Sequence, residues 1–391
     1  MIGQTWPAEG RTIRDETTGR AIRQLTSQGH NVHLYFTDNA FDRGHERIVF
    51  LSDRAAPQRR PAHEAHYALY CMDLGSGVIS RLTDETLPVR NATKTPDGRL
   101  LAYVAGHEVI LLDTQTGART LVHEEREGLT IGRPSISADR RFVGFTRNEP
   151  GAPHGPNYQG FKERYYGIKD GRITLAHADG SGSFDLFRDT CQLAHFQFSP
   201  VHPTLAIFCH EGPWHLVTQR IWLLDLVSRR AVPAFRQGEQ DSVGHEFWTM
   251  DGKIFFDNRG PGHDGTITSA RTQAVAREVA FHDYGDFQPY VGLLDERGAL
   301  LRTIPMPIAC NHYHANPAGT HLVGDSVDEI LLIDIAGEVA RATPLCTHGT
   351  SWQSQETHCH PTWSWDGGRI LFASDRSGQV QLYLLEVEEP H

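Results

Sequence analysis

The sequence predicts an all-β fold, a single seven-bladed β-propeller closed into a ring, and three observations lead there. First, a short apolar run ending in an acidic or polar residue and a turn recurs seven times: LYCMDLGSG (69–77), VILLDTQTG (109–117), TLAHADGSG (174–182), IWLLDLVSR (221–229), VGLLDERGA (291–299), ILLIDIAGE (330–338) and LYLLEVEEP (382–390). The marker position is Asp73, Asp113, His177, Asp225, Asp295, Asp334 and Glu386. Six intervals from residue 73 to residue 386 give a mean period of about 52, which suits a four-stranded blade with inserted loops. Second, a polar turn and a β-rich strand precede each copy: HERIVFLSD (45–53), PDGRLLAYV (96–104), ADRRFVGFT (138–146), HPTLAIFCH (202–210), DGKIFFDNR (251–259), AGTHLVGDS (318–326) and DGGRILFAS (366–374). Polar pairs such as Asp-Gly between two extended runs signal hairpins. Third, the last copy stops soon after Glu386, without the outer strand that VISRLTDE (78–85) supplies after Asp73. DETTGRAIRQLT (15–26) is a turn and outer strand with no blade of its own. Pairing these first and last strands in one blade closes the ring and removes its exposed edges.

Length and composition agree. At 391 residues the chain exceeds the roughly 250–300 at which one core stops growing, leaving two domains or a repeat array. The period decides for one array over 1–391. No helix longer than about ten residues is expected, and residues 147–170, rich in Pro, Gly and Tyr, look like an insertion loop. No apolar run approaches the about 18 residues of a spanning helix. The first fifteen residues carry Pro7 and Gly10 where a secretory signal needs an apolar core. The expectation is a cytoplasmic protein without a membrane partner. Lys and Arg total 37 against 48 Asp and Glu, for a net charge of −11, and the cations are not gathered into a stripe, which argues against nucleic acid. An anionic ligand then needs a local arginine that overrides the global field. Six cysteines without CxxC spacing read as reduced core thiols. Histidine is the unusual entry in the composition, 23 beside 4 Met, and histidine serves chiefly as metal ligand or proton shuttle.

Loops from different blades meet at the mouth of a propeller channel, so residues distant in sequence converge there. The densest histidine segment is QSQETHCHP (353–361). If it is a strand, His358 and His360 point to one face as a metal-ligand pair, with the Gln355 amide oxygen as a harder donor. The same HxH fits a surface strand alternating with Cys359. One blade earlier, CNHYHANPAG (310–319) offers His312 and His314, of which only one need face the channel. His312 with Gln355, His358 and His360 makes three imidazoles and an amide oxygen, a set suited to Mn²⁺ with Zn²⁺, Co²⁺ or Ni²⁺ as competitors. In the other reading His312 or His314 merely bonds a blade turn. Upstream lie Arg220, in PWHLVTQRIWLLDL (213–226), and His245, in VGHEFWTMDGK (243–253). By themselves they could equally be an arginine paired with an aspartate and a packing histidine beside Glu246, Phe247 and Trp248.

At these residues the chain resembles the oligogalacturonate lyases, polysaccharide lyases built as seven-bladed propellers of TolB-like type. The likeness runs through FCHEGPWHLVTQRIWLLD (208–225), GHEFW (244–248), CNHYHANPAGTHLVGD (310–325) and HGTSWQSQETHCHPTWSWDGGRILFASD (348–375), with a weaker match over 3–26. The resemblance implies a Mn²⁺ ion held by His312, Gln355, His358 and His360, a proton-abstracting base at His245 and a charge-neutralising arginine at Arg220. It also implies a short oligogalacturonate substrate cleaved by β-elimination. Two departures are visible: NPAG after His312 where Asp-Gly is common, and Gln353 as an amide competing with Gln355. His30, His33, Tyr158, Lys162, Tyr166 and His215 are further candidates for the substrate cleft, with surface or packing roles as the alternative. Rival readings are a lyase for another uronate, a non-catalytic propeller that binds a glycan or protein, and a hydrolase. The last lacks a G-x-S-x-G elbow, although a carboxylate pair is open to it.

Overall fold

The computed structural model describes residues 2–44, 46–152, 160–263, 265 and 287–387. Its strands form seven antiparallel sheets of four or five strands each, the seven blades. Every apolar run of the first repeat pattern is the third strand of a blade, from Ala68–Asp73 in the first to Gln381–Glu386 in the last. Every member of the second pattern is the strand before it, from Arg47–Ser52 to Arg369–Ser374.

The recurring acid has a local physical cause. Asp73 Oδ1 accepts from the Ser76 backbone N–H at 2.7 Å, Asp113 Oδ1 from Thr116 at 3.0 Å, and Asp225 Oδ1 from Ser228 at 2.6 Å. Asp295 and Asp334 close the equivalent turns at 2.9 Å each. A short carboxylate that satisfies turn N–H groups is what the bend into the outer strand requires. A second carboxylate, two residues past a hydroxyl, braces the turn between first and second strands: Thr95 with Asp97, Ser137 with Asp139, Thr249 with Asp251, Ser364 with Asp366. The strand interiors alternate little and are buried on both faces, as stacked blades demand, with Tyr70, Tyr103, Phe145, Phe208, Phe256 and Tyr383 among the largest fully buried side chains.

The ring closes through the N-terminal segment, with more stitching than one strand. Ala21–Gln24 is the outer strand of the last blade, Arg23 opposite Leu384 and Gln24 opposite Tyr383. Residues 15–20 form only the turn before it: Asp15 Oδ1 accepts from the Thr17 and Thr18 backbone N–H groups. Arg11–Arg14 adds a fifth strand outside, and Thr5–Trp6 crosses to the outer strand of the first blade, Trp6 opposite Ile79. The insertion begins later than 147, because the second strand of the third blade runs through Phe142–Asn148. Its described residues contain one short helix, Phe161–Gly167. Among the described residues no helix is long and apolar enough to cross a membrane.

Candidate metal centre and active site

Three buried histidines meet where the sixth and seventh blades face the channel. Ring nitrogens of His312, His358 and His360, one from each, lie within 4.8 Å of one another, and the rings of His312 and His360 are 4.2 Å apart. His312 sits just before the inner strand Tyr313–Ala315 of the sixth blade. Asp325, at the end of the neighbouring strand, takes a bond from the His312 backbone N–H and another from ring Nδ1. That second bond places the proton on Nδ1 and leaves the Nε2 lone pair for a ligand.

His358 and His360 converge, but not as same-face residues of a strand. Gln355–Thr357 is a 3₁₀ turn started by a Ser354/Thr357 capping box, His358 follows it, and His360 has a left-handed backbone with φ 46°. The strand begins only at Thr362. The capping box and the left-handed residue overrule strand alternation, and the turn rather than the pleat brings both rings inward. His360 Nε2 is buried with no hydrogen-bond partner among the described residues. Burial, reinforced by the neighbouring imidazoles, holds both His358 and His360 well below the ordinary histidine range, so both are neutral donors. Gln355 lines the wall of the adjoining cavity beside His358, and so does Gln353. His314, the alternative to His312, is excluded from the group: its Nδ1 accepts from the Trp363 backbone N–H at 3.1 Å and its ring stacks on Phe247.

That cavity holds about 560 Å³, a volume suited to a small ligand, and His195, Glu211, Arg220, His245, Gln355 and His358 lie on its walls. His245 stands on the inner strand Val243–Trp248 of the fifth blade, its ring 4.7 Å from that of His312. Its backbone N–H is held by Asp257 Oδ1, and its Nδ1 has no hydrogen-bond partner among the described residues. Burial first, then His312, His195, Arg259 and Arg220, depress its basicity well below the usual value. Arg220 is fully buried and paired, with a glutamate rather than an aspartate: Nη1 and Nη2 reach the two Glu211 oxygens at 3.2 and 3.4 Å. Its Nε donates to the Gly244 carbonyl at 2.9 Å, directly before His245. Arg259, whose guanidinium lies over the same Trp214 ring as that of Arg220, performs a related task. It pairs with Asp257 and donates to the Cys310 and Asn311 carbonyls, fixing the loop that carries His312.

Among the described residues, the other cleft candidates do not line this cavity. His33 is buried with its ring 6.4 Å from that of His360 and its Nε2 3.1 Å from the Cys359 carbonyl. His30 Nδ1 accepts from the Val380 N–H. Lys162, Tyr166 and His215 are exposed, and Tyr158 lies outside the described residues. Sequence reasoning missed His195, Glu211, Asp325 and Arg259. Asp325 ends the AGTHLVGDS strand and Glu211 follows HPTLAIFCH, so position at the channel end of a second strand was the available signal.

A sequence-family model described as oligogalacturonate lyase matches residues 2–259. The chain is 23% identical to an oligogalacturonide lyase of Pectobacterium atrosepticum, covering 99% of this chain and 98% of that one. It is likewise 23% identical to an oligogalacturonate lyase of Dickeya dadantii, over 97% and 96%. Among solved structures, an oligogalacturonate lyase in complex with manganese superposes with a TM-score of 0.81 at 23% identity, over 99% of this chain and 98% of that one. The oligogalacturonate lyase of Vibrio parahaemolyticus matches with the same score at 20% identity, over 100% and 99%.

Proposed function

Because this chain belongs to the oligogalacturonate lyase family, we propose that it is a metal-dependent lyase that splits short 4-linked galacturonides by β-elimination. The observation that carries the reading is the convergence of three buried imidazoles with a fourth, His245, at a cavity of ligand size. The donor set fits a divalent cation: Asp325 presents His312 through Nε2, His360 Nε2 is orphaned, His358 is neutral, and Gln355 adds an amide on the same wall. Manganese is the metal we assign, with Zn²⁺, Co²⁺ and Ni²⁺ as competitors. When bound, the cation supplies Lewis-acid stabilisation to the uronate carboxylate as charge develops on it.

The protein's own groups do the rest. His245, kept neutral by burial, removes the C5 proton, which is acidic because it lies alpha to the carboxylate. The C5–H pair moves toward the carboxylate, C4=C5 forms, and the C4–O4 bond breaks. Arg220 holds the Gly244 carbonyl and so sets where His245 points, while its cation offsets negative charge gathering at the cavity wall. We place this work in the cytoplasm, where six cysteines without a disulfide remain reduced. Incubation with Mn²⁺ and unsaturated digalacturonate, followed by mass analysis, tests the reading. Keto-deoxy monomers whose summed mass equals that of the substrate are expected; products heavier by one water would make the protein a hydrolase.

A further inference from the structure

Beside His245, a further histidine faces the same cavity from the neighbouring fourth blade. His195 lies on the inner strand Leu193–Phe198 of the fourth blade, and its ring stacks parallel to that of His245, 6.0 Å away and 9° from coplanar. The two blades place their histidines by the same device. The pairing register slips between Ala194 and Gln197 on one inner strand and between Val243 and Glu246 on the other. A bulge of this kind re-aims one side chain out of the alternation. At His195 the backbone is also left-handed, φ 50°, an uncommon state for a residue with a Cβ, which persists only where the surroundings enforce it. Gln197 enforces it, its amide donating to the His195 and Glu246 carbonyls.

The ring is held at one nitrogen and presented at the other. Nδ1 lies 3.0 Å from Oε1 of Glu246, which is wholly buried. A carboxylate at that position keeps the proton on Nδ1 and makes Nε2 the nitrogen that exchanges protons, the logic of a base or acid oriented by a buried carboxylate. Nε2 sits on the cavity side, 3.7 Å from Glu211 Oε2. His245, by contrast, has the guanidiniums of Arg220 and Arg259 and the His312 ring around it. Two parallel imidazoles, one among cations and one between carboxylates, make a complementary proton acceptor and donor.

We propose that His195 is the general acid of the elimination, giving the Nε2 proton to the departing O4; this rests on the lyase reading above. The electron balance is complete. The C5–H pair becomes the C4=C5 bond, the C4–O4 pair leaves on oxygen, and O4 takes the His195 proton. His245 ends protonated and His195 neutral, and exchange with solvent resets both without any co-reactant. Glu246 is the positioning residue.

The test compares leaving groups in H195Q and E246Q. On a natural digalacturonide, H195Q is expected to lose 10²–10⁴-fold in kcat, the range for removing a general acid. On a uronate bearing a 4-O-nitrophenyl group, which departs without protonation, the loss should shrink to within about tenfold. E246Q should show the same pattern more weakly, with manganese content near the parent's and a lower thermal midpoint, because Arg220 loses one of its two carboxylates. Equal losses on both substrates, or none on either, would overturn the assignment. Parent enzyme that eliminates neither substrate would instead remove the lyase reading itself.

Discussion

Asp325 grips His312 twice, accepting the backbone N–H at 2.6 Å and ring Nδ1 at 2.9 Å, with both side chains essentially excluded from solvent. The pair is a carboxylate–histidine support of the kind that fixes tautomer and orientation for a metal. D325N keeps the volume but loses the charge. Its manganese affinity is expected to fall about 10–100-fold, measured by calorimetric titration of the metal-stripped protein. Unchanged affinity would mean that His312 is not a ligand.

His245 and His358 both border the cavity, yet their substitutions should separate cleanly. H358A is expected to lose bound metal and activity together. H245N should retain full metal occupancy while its turnover falls at least 10³-fold. Elemental analysis beside an ultraviolet assay for the unsaturated uronate reads both. Metal loss in H245N would put that ring in the coordination sphere.

Arg220 answers two carboxylates, partly exposed Glu211 by two hydrogen bonds and buried Glu246 at 3.9 Å. Removing one partner of such a group strands the other, at about 3–5 kcal/mol. R220A should therefore unfold at markedly lower denaturant, and R220A/E211Q should recover part of the loss. Failure of the double variant to recover would show that Glu211 is solvated without Arg220.

Asp15 ties the N-terminal turn to the sixth blade, its Oδ2 accepting from the backbone and hydroxyl of Thr347 at 2.9 and 2.7 Å. Burial pushes its carboxyl up, but hydrogen bonds from Thr347 and Thr18 outweigh that and pull it from 3.8 down to about 2. The folded value is the lower one, so its stabilisation is complete above pH 4 and lost as pH falls toward 2. The window corresponds to roughly 2 kcal/mol. Urea midpoints between pH 4 and 3 should fall more steeply for the parent than for D15N, and parallel slopes would rule this linkage out.

The propeller was legible because each blade repeats one local solution. An apolar third strand must end in a turn, and Asp73, Asp113, Asp225, Asp295 and Asp334 close that turn the same way. His177 breaks the pattern and its turn is braced by Asp179 instead, which the period survives. The convergence of His312, His358 and His360 was legible as a spacing, although the 3₁₀ turn at Gln355–Thr357 replaced the expected strand. His195 was invisible for a physical reason. Its function depends on a bulge, a left-handed φ and a carboxylate 51 residues away in the next blade, none of which marks the local sequence QLAHFQF.

The double stitch of the N-terminal segment also sets the order of assembly. Arg23 pairs with Leu384, and Thr5–Trp6 caps the first blade while Arg11–Gln24 caps the last. During synthesis the Ala21–Gln24 strand emerges early and waits for its partner until Gln381–Glu386 has been made. Six blades are built from contacts close in sequence, whereas closure joins segments at opposite ends of the chain, the slowest kind of contact to form. The vulnerable species on the way to the native state is therefore an open array with two unpaired edges, one on each side of the gap.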